Sequence, residues 1–527
     1  MTVSKITQKI YLRNSVLVTG FMTFISRITG LLRDVLFSQL FGVSANMDSF
    51  LVAFKIPNLL RRFFAEGAFS QGFVPILNEY KEMQPDKLSG LVGSTFGSLS
   101  LVLFIITAIG TLFAPVMVYL FAPGFSGNED QIATTAQMLR YAFPYIFFIS
   151  LTSLLGSVLN AHGNFSVPAI TPVILNLCLI CASIFLSPYF NPPELVLAIA
   201  VFLAGLFQLL LQLPFILKRK LAFRPRIDFS HPGVRQIYKL MLPGILGSSV
   251  AQINILIDTL IASFLVSGSI SWLYYSDRLM EFPLGVFGVA VATVILPRLS
   301  SEKAKASMHD FRHSLAWGMN AVITIGLPSA IGIILVGDTL LHIIFFSSQF
   351  SLVDISMAYA SLVAYSLGLV AFMLVKILAA GYYSRKDTKT PVRIAVYSLI
   401  LNLVLNIIFI YVFHLFRGNA LHAGLALATS CSAMFNAFFL YRGLVKVGAI
   451  ISGSVINLHN FKKLVASFVM AFFIIFSESY YLSDLLALSR FEAAANLIFI
   501  ITVSACIYFS IWYLFIHQRS DGKANQL

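Results

Sequence analysis

The sequence predicts an all-α polytopic membrane protein: about fourteen transmembrane helices, arranged as two pseudo-repeated six-helix lobes plus two extra C-terminal helices. Three observations predict it. Apolar and aromatic residues make up 58% of the 527 residues and charged residues 11%, where a soluble domain carries about a quarter charged residues. The mean hydropathy is +0.86. The apolar residues fall in continuous runs of spanning length rather than alternating segments of about ten residues, which excludes a β-barrel. An ordinary soluble enzyme and a disordered chain are excluded by the same composition.

The apolar segments run 15–40, 47–77, 90–121, 132–159, 168–187, 194–217, 240–266, 272–297, 313–336, 354–383, 391–413, 420–441, 461–481 and 491–516. The opening stretch MTVSKITQKIYLRNSVLVTGFMTF is basic and then apolar. It lacks a small-residue cleavage site and soon meets Arg27, so it reads as a retained first helix with a cytoplasmic flank. An even number of crossings then places the C-terminus in the cytoplasm too. The alternation is tested by charge, because cytoplasmic loops carry an excess of Lys and Arg. The loops assigned to the cytoplasm hold 26 of these residues, and the opposite loops hold only Arg417 and Arg490. One missed helix would have inverted every later loop. The same asymmetry accounts for most of the +14 net charge without nucleic acid; anionic lipid headgroups suffice.

The longest basic loop, KRKLAFRPRIDFSHPGVRQIYK, falls between the sixth and seventh helices. It divides the chain into a first lobe at 1–217, a cytoplasmic linker at 218–239, a second lobe at 240–447, and helices 13 and 14 within 448–527. A weak repeat supports two halves. FVPILNEY ends the second helix and VILPRLSSE the eighth; NAHGNFSVPAITPVILN enters the fifth and AAGYYSRKDTKTPVRIAVYSLILN the eleventh. Repeats of this kind are typical of secondary transporters, whose substrate sites lie between them.

With Arg393, Lys462 and Lys463 counted at the span edges as cytoplasmic, eight basic residues remain within the spans: Arg27, Arg33, Lys55, Arg61, Arg62, Arg140, Arg278 and Lys376. Arg140 and Lys376 lie where their side chains can snorkel to an interface. Each of the others costs roughly 2.5–3.5 kcal/mol at mid-bilayer, so the five arginines together would cost about 12–17 kcal/mol facing lipid. They therefore belong in a hydrated interior. Asp48, Lys55, Arg62 and Glu66 recur at spacings that keep them near one line of a helix, with Pro57 expected to interrupt it. Arg27 and Asp34 are seven apart, Arg33 adjoins Asp34, and Asp277, Arg278 and Glu281 share one turn. Buried ion pairing would explain some of these charges. Yet the five arginines and Lys55 face only Asp34, Asp48, Glu66, Asp277 and Glu281, and a surplus of positive charge points to an anionic ligand. Guanidinium forks match phosphate oxygens bidentately, which favours a phosphorylated or pyrophosphorylated one.

The second half differs chemically. Asn254 and Asp258 are four apart on the seventh helix, Asn402 and Asn406 four apart on the eleventh, and Thr429 lies in the twelfth. One carboxylate among amide and hydroxyl oxygens is the composition of a monovalent-cation site; it equally suits interhelical hydrogen bonding. Cys178 and Cys181 form a C-x-x-C inside an apolar run, where they read as helix filler. No phosphate-binding loop, zinc-protease motif or catalytic constellation is present in the sequence, so neither ATP hydrolysis nor enzyme chemistry is expected.

SRITGLLRD at 26–34 and MDSFLVAFKIPNLLRRFFAEGAFSQGFVPILNEYK at 47–81 closely resemble the MurJ/MviN family. These are bacterial lipid II flippases within the multidrug/oligosaccharidyl-lipid/polysaccharide exporter superfamily. SDRLMEFPLGVFGVAVATVILPRLS at 276–300 and AAGYYSRKDTKTPVR at 379–393 continue the match, which covers essentially the whole chain. The resemblance implies translocation of undecaprenyl-pyrophosphate-linked peptidoglycan precursor across the inner membrane by alternating access, for peptidoglycan and cell wall synthesis. It implies a cavity between two lobes, a lipid-tail groove on helices 13 and 14, and partners among cell-wall synthesis proteins. The family's cavity arginines match Arg27, Arg33, Arg61 and Arg278 and its acids Asp34 and Asp48, with Arg62 and Glu66 in the same motif. Some members bind Na+ in the second lobe, at positions that look like Asp258, Asn402, Asn406 and Thr429. Asn406 stands where some relatives have an aspartate, which removes a charge from that set. The alternative is a related exporter of another polyprenyl-linked glycan, or of drugs by cation antiport; the latter favours acidic and aromatic linings over arginines.

Overall fold

A computed structural model describes residues 2–63, 68–218, 223–305, 307–415, 420–450, 458–482 and 488–524. Glu66 and Arg417 lie outside the described residues. Among those described, the protein is helical without strands, and its contacts divide it into two compact units, Met1–Ser271 and Trp272–Leu527.

In the first unit, α1 (Thr2–Leu40) packs on α8 (Ser166–Cys181), and α2 (Ala45–Arg61) packs on α6 (Glu129–Ala142), α7 (Tyr145–Ala161) and α9 (Leu195–Lys218). The hydroxyl of Ser44 caps α2 by accepting the N–H of Met47 at 3.0 Å. Contrary to the expected interruption, α2 runs through Pro57, and it widens into π-helical geometry only at Arg62 and Phe63. Apolar segment 90–121 divides into α4 (Pro85–Leu112) and α5 (Ala114–Phe121). Pro115, which has no N–H to continue the helical ladder, sits in the first turn of α5.

The helix α10 (Pro232–Ala262), counted from sequence as the start of the second lobe, packs on α3 (Ala68–Met83) within the first unit. Gly72 permits this approach, since a Cβ there would lie 2.8 Å from the carbonyl oxygen of Ile237. The basic linker ahead of α10 lies along α4. Arg226 donates its backbone N–H to Gly93 at 3.1 Å, and Asp228 donates to the Ser98 hydroxyl at 3.1 Å. The carbonyls of Arg224 and Arg226 sit over Gly93 and Gly97, where no Cβ fits.

In the second unit, α13 (Met308–Phe345), α14 (Leu352–Tyr383) and α16 (Leu421–Lys446) pack in sequence, with α15 (Lys389–Leu415) on α16. Small residues bring α14 and α16 together. Ser430 donates to the carbonyl of Ala364 at 2.6 Å, and Gly368 leaves the room that Ser430 occupies. The helices α17 (Leu458–Tyr481) and α18 (Arg490–Ala524) pack on one another and on α13. Lys463, counted from sequence with the cytoplasmic charges, is 0% exposed; its Nζ lies 3.4 Å from both Asn320 oxygens.

Eleven helices among the described residues are long and apolar enough to cross a membrane. Of the three expected segments not among them, 15–40 lies in α1, 47–77 is covered by α2 and α3 on either side of the undescribed 64–67, and 240–266 is helical to Ala262 in α10. Within the second, α2 and α3 are 17 and 16 residues long, each short of a spanning helix. In the third, only Gln252–Ala262 qualifies, as a shorter apolar helix. The protein is a multi-pass membrane protein.

Candidate functional site

Most of the charged residues singled out by sequence lie on α1 and α2, where local helix geometry decides which way each one faces. Arg33 and Asp34 are buried, 8% and 3% exposed. Arg33 holds its neighbour with Nε and a terminal nitrogen, 2.9 and 2.7 Å from the same Asp34 oxygen. Its other terminal nitrogen donates to Asn176 on α8 at 2.9 Å. Asn176 in turn donates to the Ser26 carbonyl and the Thr29 hydroxyl, each at 3.1 Å. This network clamps α1 to α8. Arg27 stays exposed on α1.

Asp48, Lys55 and Arg62 share a line of α2, as their spacing predicts, and that line reaches toward α10 and the segment after it. Asp48 is 2% exposed and binds the N–H groups of Gly268 and Ser271 together with the Ser271 hydroxyl. Lys55 donates to the Thr259 hydroxyl at 3.0 Å and Arg62 to Gln252 at 3.0 Å. The partner numbers fall as the α2 numbers rise, so the two helices are antiparallel. α2 packs against α5, α6, α7 and α9 and reaches α10 through long side chains.

Arg61, adjacent to Arg62, turns to a different face. Its Nε donates to Asn58 at 2.9 Å, and its side chain lines a cavity of about 410 Å³, part polar and part apolar, bounded by α7, α8 and α9. The sequence reading did not include this cavity. Its signal was Gln208 and Gln212, two amides four apart inside the apolar run LFQLLLQLP. Asn176 likewise stands alone in an apolar run.

In the second unit, α11 (Ser269–Pro283) carries Asp277, Arg278 and Glu281. Arg278 pairs with Glu281 at 3.2 Å, and its guanidinium lies 4.8 Å from the centre of the Tyr274 ring, within cation–π range. The helix then passes through π-helical geometry at Leu284–Gly288, a distortion frequent at functional sites, and continues as α12 (Val289–Ala304). Asn402, Asn406 and Thr429 come together here. Asn406 donates to the Asn402 carbonyl at 3.0 Å, and Asn402 donates to Thr429 at 3.2 Å. Asp258 belongs to the first unit, where Asn254 donates to it at 3.4 Å. These three second-unit residues bond to one another. Among the described residues no cluster of three His, Cys, Asp or Glu side chains has the placement to hold a metal ion.

Apolar helices in two units, with guanidinium groups held inside their spans and a cavity at one of them, define a membrane transporter rather than an enzyme. The family model described as lipid II flippase MurJ matches residues 37–494. The chain belongs to that family. It is 45% identical over 443 residues to the probable lipid II flippase MurJ of Vibrio cholerae, covering 82% of each protein. It is 40% identical over 436 residues to the lipid II flippase MurJ of Burkholderia cenocepacia, covering 82% of this chain and 83% of that protein. A solved lipid II flippase MurJ in an inward closed conformation superposes with a TM-score of 0.79 at 27% identity, covering 95% of this chain and 99% of that one. An inward-facing multidrug resistance MATE family transporter of the MOP superfamily superposes with a TM-score of 0.66 at 14% identity, covering 80% and 95%. That second likeness is one of fold alone.

Proposed function

We propose that this protein is a lipid II flippase that carries the lipid-linked peptidoglycan precursor from the cytoplasmic to the periplasmic leaflet by alternating access, with both termini in the cytoplasm. Family membership supports the substrate class. The observation that carries the reading is the placement of Lys55, Arg61 and Arg62 within two turns of one intramembrane helix, with Arg61 on a cavity. A guanidinium in that setting suits a diphosphate, whose oxygens match its fork. Arg27 and Arg278 match the family's cavity arginines. Asp34 and Asp48 hold helices in place around it through the bonds described above. The polyprenyl tail stays in the bilayer along α17 and α18, where α18 carries a shallow groove bordered by Thr502, Cys506, Phe509 and Tyr513. The orientation rests on the Lys and Arg asymmetry of the loops. No step is routed through Na+.

Conditional depletion followed by a leaflet-resolved assay for lipid II tests the proposal, with complementation by Arg27, Arg61 and Arg278 variants. Precursor should accumulate in the cytoplasmic leaflet, and alanine variants at Arg61 and Arg278 should fail to restore its exit while still being expressed. Unchanged translocation and wall synthesis on depletion would refute the assignment.

A further inference from the structure

The linker ahead of α10 fastens to α4 by its backbone, through the bonds at Gly93 and Ser98, and by the Phe223 ring, 5.1 Å from that of Phe96. Beyond Phe223, most of its side chains face outward. Arg224 and Arg226 are exposed, and neither guanidinium is hydrogen-bonded or ion-paired among the described residues. Ile227 and Phe229 are 63% and 43% exposed. In the first turn of α10, Arg235 is exposed as well. Its Nε donates to the Phe229 carbonyl at 3.3 Å, which holds a third guanidinium beside the apolar pair. The one carboxylate of the segment, Asp228, accepts the N–H groups of Ser230 and His231 at 2.9 and 3.1 Å. It makes no ion pair with the three arginines.

Depth in the bilayer gives this patch its meaning. Along α4 the outward apolar surface begins at Phe104, the first large apolar side chain of that helix to be exposed. The linker sits over Gly93 to Ser98, at least six residues or about 9 Å nearer the start of the helix. Headgroups occupy about 5–8 Å outside the hydrocarbon, so the linker lies at the membrane surface. Arg226 pairs with Gly93 and Asp228 with Ser98, so the chain descends toward the hydrocarbon and Phe229 follows at its deeper end. Guanidinium forks match phosphate oxygens, and the neighbouring apolar side chains match the upper part of an acyl chain. A soluble acidic partner would have to reach Ile227 and Phe229 through the headgroup layer; a phospholipid is already there.

We propose that this linker is a docking site for an anionic glycerophospholipid, whose phosphate is taken by Arg224, Arg226 and Arg235 while its acyl chains lie against Ile227 and Phe229. The site shares no residue with those assigned to the transported lipid and does not rest on the flippase reading.

The test is lipid retention by the purified full chain, released from nanodiscs of phosphatidylcholine with a minor fraction of phosphatidylglycerol and read by native mass spectrometry. Arg224→Gln with Arg226→Gln and Arg235→Gln should lower phosphatidylglycerol retention at least about tenfold, since each basic residue near an anionic surface contributes about fivefold. Phosphatidylcholine retention should not change. Lys303→Gln with Lys305→Gln and Lys446→Gln removes the same charge from exposed positions elsewhere and should leave retention within about twofold. Ile227→Ser with Phe229→Ser keeps every charge and should still weaken retention about fivefold, through lost acyl-chain contact. Equal losses in the arginine and lysine variants would reduce the site to diffuse charge attraction and overturn the proposal. So would retention that survives the loss of all three arginines. Binding of soluble glycerol 3-phosphate as tightly as phosphatidylglycerol would overturn it too, because acyl chains would then play no part.

Discussion

Asp48 closes the first turn of α11: one carboxylate oxygen accepts the backbone N–H of Ser271 at 2.8 Å and its hydroxyl at 2.6 Å, and the other accepts the N–H of Gly268 at 2.6 Å. An anion at a helix N-terminus is stabilised by the orphan amides and the helix dipole, so this acid needs no arginine to justify its burial. Asp48→Ala should destabilise the purified protein by roughly 3–5 kcal/mol, the range for breaking a buried charged interaction. Asp48→Asn should cost about 1–3 kcal/mol, since its NH₂ group meets a donor. Thermal unfolding in detergent checks the ranking.

Arg33 makes three directional bonds, two to Asp34 and one to Asn176. Lysine has the charge but not the fork. Arg33→Lys should therefore lower the melting temperature nearly as much as Arg33→Ala. A double-mutant cycle of Arg33→Ala with Asn176→Leu should give a coupling of about 0.5–3 kcal/mol. Additive effects would remove the α1–α8 clamp from the account.

Asp387 lies in the loop between α14 and α15 and accepts the backbone N–H of Thr390 at 3.0 Å, capping α15. Burial pushes its carboxyl upward, but the hydrogen bonds from Thr390 and Lys389 and the nearby Arg385 outweigh it, and the net shift is downward. A carboxylate depressed in the folded state adds stability above its unfolded value, and that stability is lost as pH falls through the folded value. Asp387→Ala should cost about 0.5–2 kcal/mol at neutral pH, as for a lost cap. The gap from wild type should close in acid, as followed by thermal melts across pH.

The membrane class, most helices and the line of Asp48, Lys55 and Arg62 were legible in the sequence, because they depend on apolar run length and on helical periodicity alone. The partners were not. Asp48 meets Ser271, and Lys55 meets Thr259, across some two hundred residues, and no local pattern encodes such pairings. Position in the chain also misled. Lys463 counts with the cytoplasmic charges, yet tertiary packing buries it against Asn320. The packing of α10 on α3 turns on the missing Cβ at Gly72, which no local hydropathy pattern registers. The cavity beside Arg61 was overlooked because Gln208 and Gln212 sit in a run judged for its hydropathy, although their four-residue spacing marked them.

The central claim concerns Arg61, and translocation by the purified protein tests it most directly. Vesicles would carry labelled lipid II, with its appearance in the opposite leaflet read by a membrane-impermeant reagent. Wild type should move the label and Arg61→Ala should reduce transfer by at least about tenfold, a loss of some 1.4 kcal/mol of headgroup interaction, with an unchanged melting temperature. Equal transfer by the two proteins would contradict the account.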